Sequence, residues 1–332
     1  MSPGNHSAVM EFVFLAFPIN THQQVLVFIG MFLIYIAIIL GNLLILVAVC
    51  GEPHLHTPMY FFLGSLSVME LCYTTSVVPQ MLVNILQERK SITTWGCGTQ
   101  MFFFIALGSA DSFLLVVMAY DRYVAICQPL HYAHVMTWQR CTWLVAISLI
   151  LGGLMSMEIV ILIFHLPFNG SNKIEHFFCD VNQLLKLASA DTSFEEIAQF
   201  VGSIFILTVP FLLIAVSYIC IIMTVLQIPS TKGRIQTFNT CSSHLMVVLL
   251  QYGCGSLVYL HPKSRSFDKM DRLLSLVYIF GTPILNPIIY SLRNKELKDT
   301  IRKLPLKVKL GNIRETEQPP LCVSLLSLPC NV

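Results

Sequence analysis

The chain has 332 residues, of which 55% are apolar and only 11% are charged, about half the charged fraction of an ordinary soluble domain. A formal net charge of +2 indicates neither a nucleic acid nor a strongly acidic partner. This composition excludes an ordinary water-soluble domain and predicts a protein that lies in a lipid bilayer.

Four stretches contain no Asp, Glu, Lys or Arg, and each is longer than or close to the roughly 20 residues of a membrane-spanning helix. Three further apolar stretches each contain one carboxylate, Glu70, Asp111 or Glu158, which a helix bundle tolerates in its interior. We therefore predict an all-α membrane protein, a seven-transmembrane helix bundle over residues 25–292. The span cores are predicted at 25–49, 58–86, 97–120, 141–165, 197–226, 236–260 and 272–292.

Residues 1–24 precede the first span and contain no Lys or Arg. If this end is outside the cell, the cytoplasmic side carries twelve of the 20 Lys and Arg residues, as the positive-inside rule favours. The first apolar run is too long for a cleaved signal peptide. We expect a multi-pass plasma-membrane protein with an extracellular N-terminus, in which Asn5 begins a glycosylation sequon.

The longest connection between spans runs from Pro167 to about Glu196, on the predicted outer side, and contains Cys179. Cys97 lies at the outer end of the third span. Two cysteines that face an oxidising compartment predict a disulfide that ties this loop to the third helix. The remaining cysteines lie mostly in spans or on the cytoplasmic side, where free thiols are expected.

After the last span, residues 293–304 alternate charged side chains with Leu and Ile at helical spacing, which predicts a short amphipathic helix on the membrane surface. Residues 305–332 are of mixed composition, and we expect a disordered cytoplasmic tail. Its cysteines, Cys322 and Cys330, are either acylation sites or reduced thiols.

Six short segments, in order along the predicted spans, together resemble the signatures of odorant receptors in the rhodopsin-like superfamily. They are 41–42 (GN), 55–60 (LHTPMY), 118–127 (MAYDRYVAIC), 217–218 (SY), 240–245 (TCSSHL) and 283–290 (PILNPIIY). The resemblance implies a receptor that binds a small-molecule odorant and activates a stimulatory, olfactory-type heterotrimeric G protein, which raises cyclic AMP. Its partners would be the odorant, the G protein and the lipid bilayer.

The resemblance assigns G-protein coupling to Asp121, Arg122 and Tyr123 at the end of the third span, and to Tyr218 in the fifth. Asp121 is expected to hold the Arg122 guanidinium at rest and to release it when the sixth span moves outward. The alternative is an arginine that snorkels to the interface beside its counter-ion.

The same role extends to Asn286, Pro287 and Tyr290 in the seventh span. Proline removes a backbone donor and kinks a helix, so that Asn286 and Tyr290 can exchange partners between two states. The alternative is a kink that serves packing alone.

Glu70 and Asp111 lie near the middles of their spans, where two buried carboxylates need a cation or a proton between them. The resemblance implies a sodium-binding pocket at these positions. The alternative is a protonated carboxyl group that is hydrogen-bonded to its neighbours. No other cofactor is expected, and Glu158 has no evident partner.

The resemblance places a ligand pocket among the outer halves of the third, fifth, sixth and seventh spans. The matching positions are mainly apolar with a few hydroxyl groups and carry no fixed charge, which suits neutral, largely apolar molecules. They are Phe104, Ile105, Gly108, Ser109, Ser203, Ile206, Tyr252, Ser256 and Tyr259.

Two departures from the family pattern stand out. Gln236 replaces a lysine at the start of the sixth span, which removes a cytoplasmic cation near the coupling face. Asn169 and Ser189 replace the two cysteines of a second bridge in the outer loop, so neither leaves an orphan thiol. The first of these changes also creates a sequon, which makes Asn169 a second candidate glycosylation site.

The sequence is compared with three other functions: a membrane enzyme, a transporter and a chemoreceptor outside olfactory tissue. Ser242, Ser243 and His244 superficially suggest a membrane enzyme, but the sequence shows no acid partner or oxyanion device for them, so no enzyme is expected. A transporter is disfavoured by the odd number of spans and the absence of internal repeats. A chemoreceptor of the same fold that acts outside olfactory tissue remains open.

Overall fold

The computed structural model describes residues 9–17, 20–260 and 268–309. Within them, seven helices are long and apolar enough to cross a membrane. The prediction of an all-α bundle with seven spans is therefore confirmed. In order, the spans are Thr21–Gly51, Pro58–Leu86, Thr94–Cys127, Trp138–His165, Ser193–Leu226, Cys241–Tyr259 and Arg272–Ser291.

Several spans belong to longer or composite helices. The sixth is part of Thr231–Tyr259, and a π-helical turn interrupts the fifth and the seventh. The second and third spans are the most buried and form the centre of the bundle. Outward-facing positions carry exposed leucines such as Leu33, Leu154 and Leu212, as expected of helices whose outer surface faces lipid.

The two ends of the bundle differ. One end, here called the disulfide end, carries Cys97 and Cys179 together with the short helix Val181–Leu187. The other, here called the Arg122 end, carries the end of the third span. It also has the short helix Tyr132–Val135 and the 3₁₀ turns Pro53–Leu55 and Pro129–His131.

A small sheet at the disulfide end was not predicted. Strand β1 (Glu11–Phe14) pairs antiparallel with β2 (Ser91–Thr93) and parallel with β3 (Lys173–Ile174), in the order β2-β1-β3. Alternate residues of β1 point inward, and Phe12 and Phe14 are almost fully buried. The segment before the first span is thereby joined to two loops of the bundle.

The two π-helical turns have the same local cause. Ile204–Thr208 precedes Pro210, and Val277–Gly281 precedes Pro283. Because proline has no backbone N–H, the carbonyls of Ile206 and Ile279 four residues earlier lose their helical donors. A π turn widens the helix at such a place, and π turns are frequent at functional sites.

Pro287 inside the seventh span has a different compensation. Its missing N–H leaves the Pro283 carbonyl without a helical donor, and the Asn42 side chain of the first span donates to that oxygen at 3.2 Å. A Cβ on Gly41 would lie 3.1 Å from the Pro287 side chain. The Gly41-Asn42 pair thus lets the first and seventh spans approach closely.

A helix follows the seventh span, as predicted, and runs over Lys295–Lys309. It ends five residues after the predicted boundary at 304. The Tyr60 hydroxyl of the second span donates to Glu296 Oε2 at 2.9 Å, and the Thr300 hydroxyl lies 3.2 Å from His54 Nε2. The predicted tail beyond this helix, residues 310–332 with Cys322 and Cys330, lies outside the described residues.

Candidate functional site

A cavity of about 460 Å³ lies toward the disulfide end, within the roughly 300–1,000 Å³ of small-molecule sites. The third, fourth and fifth spans form most of its wall. Cys179, Asp180 and Val181 of the connecting loop, together with Tyr259 and Tyr278, contribute the rest.

The structure brings most of the predicted pocket residues to this cavity. Two are not part of its lining: the Tyr252 hydroxyl donates at 2.7 Å to the Ser112 carbonyl, and Ser256 is partly buried elsewhere. The lining contains Phe104, Ile105, Gly108, Ser109, Ser203, Ile206 and Tyr259.

Aromatic rings shape one wall of the cavity. Phe104 stacks on Tyr73 with ring centroids 5.0 Å apart, and Tyr278 meets Tyr259 edge-to-face at 6.3 Å. A Cβ on Gly108 would lie 3.4 Å from the Tyr278 hydroxyl and 3.5 Å from the Tyr73 ring. A larger residue at 108 would therefore compete with these rings for space.

The sequence did not predict the contribution of the fourth span, which supplies Met155, Glu158 and Ile159. The expectation of a lining without fixed charge is wrong for this cavity, because Glu158 and Asp180 both border it. The sequence did contain a sign of this role for Glu158, which is a carboxylate without an evident partner in an otherwise apolar helix. Which face of the fourth span meets the fifth is a property of the packed bundle.

At the Arg122 end, Asp121 and Arg122 form no ion pair in the described structure. The Arg122 guanidinium instead contacts the Met59 sulfur, and the buried Asp121 carboxylate accepts a 2.8 Å hydrogen bond from the Tyr132 hydroxyl. Tyr123 is partly buried, and its hydroxyl accepts a long bond from Gln128. The expected resting contact between neighbouring residues is thus replaced by contacts to other segments.

A polar chain connects the fifth, sixth and third spans. The Tyr218 hydroxyl lies 2.8 Å from His244 Nδ1, and His244 Nε2 lies 3.2 Å from the Leu115 carbonyl. Because a carbonyl only accepts, the imidazole carries its proton on Nε2, and Tyr218 donates to Nδ1. Both ring nitrogens of His244 are thereby engaged in contacts to the fifth and third spans.

A polar cluster joins the second, third and seventh spans. The Asn286 amide donates to the Glu70 carboxylate, and Asp111 is close enough to Glu70 to interact electrostatically. Tyr290 is buried nearby, and its hydroxyl has no partner among the described residues. The structure thus places four of the predicted residues in one region of the bundle.

This cluster contains oxygen atoms that suit a hard cation. Oδ1 of Asp111, Oδ1 of Asn286 and Oδ1 of Asn42 are buried and accept no hydrogen bond from a described residue. Carboxylate and amide oxygens are the ligands that alkali and alkaline-earth cations prefer. Among the described residues, no group of three or more His, Cys, Asp or Glu side chains is placed to hold a metal ion.

The predicted disulfide between Cys97 and Cys179 is present. Gln100 Oε1 accepts a 3.0 Å bond from the Cys179 amide and fixes the loop further. At the site of the family's second bridge, the Asn169 amide donates to the Ser189 hydroxyl at 3.2 Å. A hydrogen bond thus joins the two positions, and Asn169 itself is exposed. Asn5 lies outside the described residues.

His176 lies in the same connection and is 1% exposed. Burial lowers the pKa of its imidazole to about 3, and the positive charges of Arg272 and Lys186 act in the same direction. Its ring meets Phe178 edge-to-face at 4.5 Å. His176 is therefore a neutral packing residue at physiological pH.

The structure is that of a seven-helix receptor. It has seven spans, and a disulfide ties the third span to the loop beside the cavity. The Asp-Arg-Tyr motif lies at the opposite end of the bundle. Comparison with known proteins gives the family. Residues 31–308 match the family model described as olfactory receptor. The chain therefore belongs to the olfactory receptor family of G-protein-coupled receptors, whose members are receptors and not enzymes.

Individual relatives cover nearly the whole chain. Human olfactory receptor 10Q1 is 53% identical over 299 residues, which are 90% of this chain and 94% of that receptor. Human olfactory receptor 10V1 is 49% identical over 90% of this chain and 97% of its own length. Mouse olfactory receptor 10J5 is 46% identical over 91% and 97%, respectively. This family and the seven spans indicate a multi-pass plasma-membrane protein.

Proposed function

We propose that this receptor binds small, largely apolar odorants in the cavity at the disulfide end and activates a stimulatory heterotrimeric G protein at the Arg122 end. The cavity carries the proposal, since seven of the nine positions that the resemblance assigned to a ligand pocket line it. Its size and mainly apolar lining fit a small organic molecule.

The proposal places the disulfide end outside the cell. A disulfide forms in an oxidising compartment, and Cys97 and Cys179 lie at that end. The exposed Asn169 sequon lies there too, whereas Arg122, Arg140 and the helix Lys295–Lys309 lie at the opposite end. Glycosylation of Asn169 in the mature receptor would establish the orientation independently.

Coupling would pass through the polar contacts of the Arg122 end. The Met59 thioether is a weak acceptor and no counter-ion, so Arg122 can leave it without separating an ion pair. Outward movement of the sixth span would break the bond between Tyr218 and His244 and expose Arg122 to the G protein. Asn286, Pro287 and Tyr290 would transmit the change from the polar cluster.

The deciding experiment is a ligand-panel screen with a cyclic-AMP readout in cells that display the full-length receptor. The Gly108→Val variant should shift the concentration of half-maximal response by about tenfold, because it narrows the cavity at Tyr278 and Tyr73. The Gly30→Val variant is a matched control, since a Cβ there meets nothing within 4 Å.

Arg122→Ala should abolish the cyclic-AMP response while surface display is retained. Unchanged dose-response curves for Gly108→Val, at equal surface display, would contradict the pocket placement. A response that survives in Arg122→Ala would contradict the coupling site.

We also propose that Glu70, Asp111, Asn286 and Asn42 hold a sodium ion, because the Glu70 carboxylate and the unpaired oxygens of the other three residues form a suitable donor set. Sodium would offset the repulsion between the two carboxylates and stabilise one state of the bundle. The thermal midpoint of the purified receptor should be higher in sodium chloride than in choline chloride, and Asp111→Asn should remove the difference. Equal midpoints for the wild type in the two salts would sink the proposal.

A further inference from the structure

Glu158 of the fourth span borders the cavity, seven residues before the helix ends at His165. It forms no hydrogen bond or ion pair with any described residue. A carboxylate within a membrane span is costly and is tolerated when it faces a cavity or finds a partner of opposite charge. Glu158 borders the cavity and has no such partner among the described residues.

Two other hydrogen-bond acceptors stand at the same cavity. Asp180 borders it, and its Oδ1 accepts from the Asn182 amide at 2.9 Å, which caps the helix Val181–Leu187. Gln199 is 8% exposed, and its amide nitrogen donates to Asn182 Oδ1 at 3.0 Å. That bond commits the nitrogen of Gln199 and leaves its buried Oε1 without a donor among the described residues.

The balance of charge in the lining is therefore one-sided. Glu158, Asp180 and Gln199 are among the residues that line the cavity, and its described lining contains no Lys, Arg or His. A buried acceptor without a donor is unfavourable, and a carboxylate raises the local affinity for a cation. A carboxylic acid would be repelled by this arrangement, whereas a protonated amine supplies both the charge and the N–H groups.

We propose that the preferred ligands are small amines, with Glu158 as the counter-ion of the ammonium group and Gln199 Oε1 as an additional acceptor. The proposal rests on the function proposed above and names the ligand class of the same cavity. The apolar remainder of the ligand lies against Phe104, Ile105 and Ile206, and the ammonium group lies toward the fourth span and the loop.

The test compares matched ligands on the full-length receptor. The probes are a panel of primary cycloalkyl and arylalkyl amines, each paired with the alcohol of the same carbon skeleton. Direct binding is measured as the ligand-induced shift in the thermal midpoint of the purified receptor, and cyclic AMP is measured separately in cells. The variants are Glu158→Gln, which keeps shape and removes charge, and Asp191→Asn, which removes an exposed charge from the same connection.

Amines should stabilise the wild type more than their alcohols, and Glu158→Gln should weaken amine binding by at least about tenfold. Asp191→Asn should leave amine binding unchanged. This control distinguishes a direct contact between Glu158 and the ammonium group from a general effect of negative charge near the cavity. The inference is overturned if alcohols bind as tightly as amines, or if Glu158→Gln weakens both classes equally. Amine binding without a cyclic-AMP response would contradict the proposed coupling and leave the ligand class standing.

Discussion

The Tyr132 hydroxyl donates a 2.8 Å hydrogen bond to Oδ1 of Asp121, so the connection between the third and fourth spans holds the carboxylate of the Asp-Arg-Tyr motif. Asp121 is only 2% exposed and needs this donor, because the Arg122 guanidinium turns toward Met59. Burial, followed by the nearby Asp121 charge, raises the pKa of Tyr132. The hydroxyl thus remains a donor throughout the physiological range.

Replacing Tyr132 by Phe should lower the free energy of unfolding by about 1–3 kcal/mol, because a buried carboxylate loses its donor. Tyr123→Phe is the matched control, since the hydroxyl of Tyr123 accepts only a 3.4 Å bond at an exposed position. Thermal unfolding of the purified receptors compares the two variants. Equal losses of stability would show that Asp121 does not depend on Tyr132.

The buried His176 side chain makes the stability of the folded chain fall as the pH falls. Its pKa is about 3 in the folded chain against an ordinary value of 6.5, so the unfolded chain binds the extra proton between these values. The stability that the neutral His176 side chain contributes is fully present above pH 6.5 and is lost as the pH falls toward 3. At about pH 5 the loss amounts to about 2 kcal/mol.

The thermal midpoint of the wild type should therefore fall between about pH 7.5 and about pH 5. His176→Phe should flatten this dependence, because the aromatic contact with Phe178 is kept and the titrating group is removed. His165→Gln is the control, since His165 is exposed at the end of the fourth span. An equal slope in His176→Phe and in the wild type would refute the assignment.

The disulfide between Cys97 and Cys179 closes 82 residues of chain, and its loss should cost about 2–5 kcal/mol. Cys97→Ser and Cys179→Ser should each reduce surface display and thermal stability, and the double variant should be no worse than either. Cys220→Ser is the control, because Cys220 is exposed and free. A double variant with twice the loss would indicate that the two residues contribute independently of the bond.

The predictable part of the fold depends on long, regular signals. Charge-free stretches predict the spans because each span must satisfy its backbone N–H and C=O groups within one helix. The topology that follows brings Cys97 and Cys179 to one end.

The small sheet has no such regular pattern in the sequence. Its strands have four, three and two residues, too short to show alternation, and β1 pairs with segments about 80 and 160 residues away.

The cavity shows the same limit at a single residue. Glu158 was visible in the sequence as an isolated charge, but its place in the wall follows from the rotation of the fourth span relative to the fifth. Asn42 is another example. Its bond to the Pro283 carbonyl, which is 241 residues away in sequence, depends on Pro287, whose missing N–H leaves that carbonyl without a helical donor. The spacing of side chains within one helix predicts neither the place of Glu158 in the cavity wall nor the bond of Asn42.

The close contact between the third and fourth spans depends on Gly152. A Cβ at this position would overlap the Ala106 carbonyl oxygen and lie 2.9 Å from the Ala110 backbone nitrogen. One turn later, the Ser156 hydroxyl donates at 2.7 Å to the Phe102 carbonyl and fixes the same approach. Backbone atoms cannot yield locally as a flexible side chain does, so the two helices would have to separate.

Gly152→Ala should therefore lower the free energy of unfolding by about 1–3 kcal/mol. It should also weaken ligand binding, because the same two spans form the cavity wall at Gly108 and Glu158. Gly153→Ala is the matched control, since a Cβ there meets nothing within 4 Å and alanine favours the helix by up to about 1 kcal/mol. Thermal unfolding and ligand-induced stabilisation of the two purified variants measure both effects. If the two substitutions behaved alike, the close helix contact at Gly152 would not be what holds the third and fourth spans together.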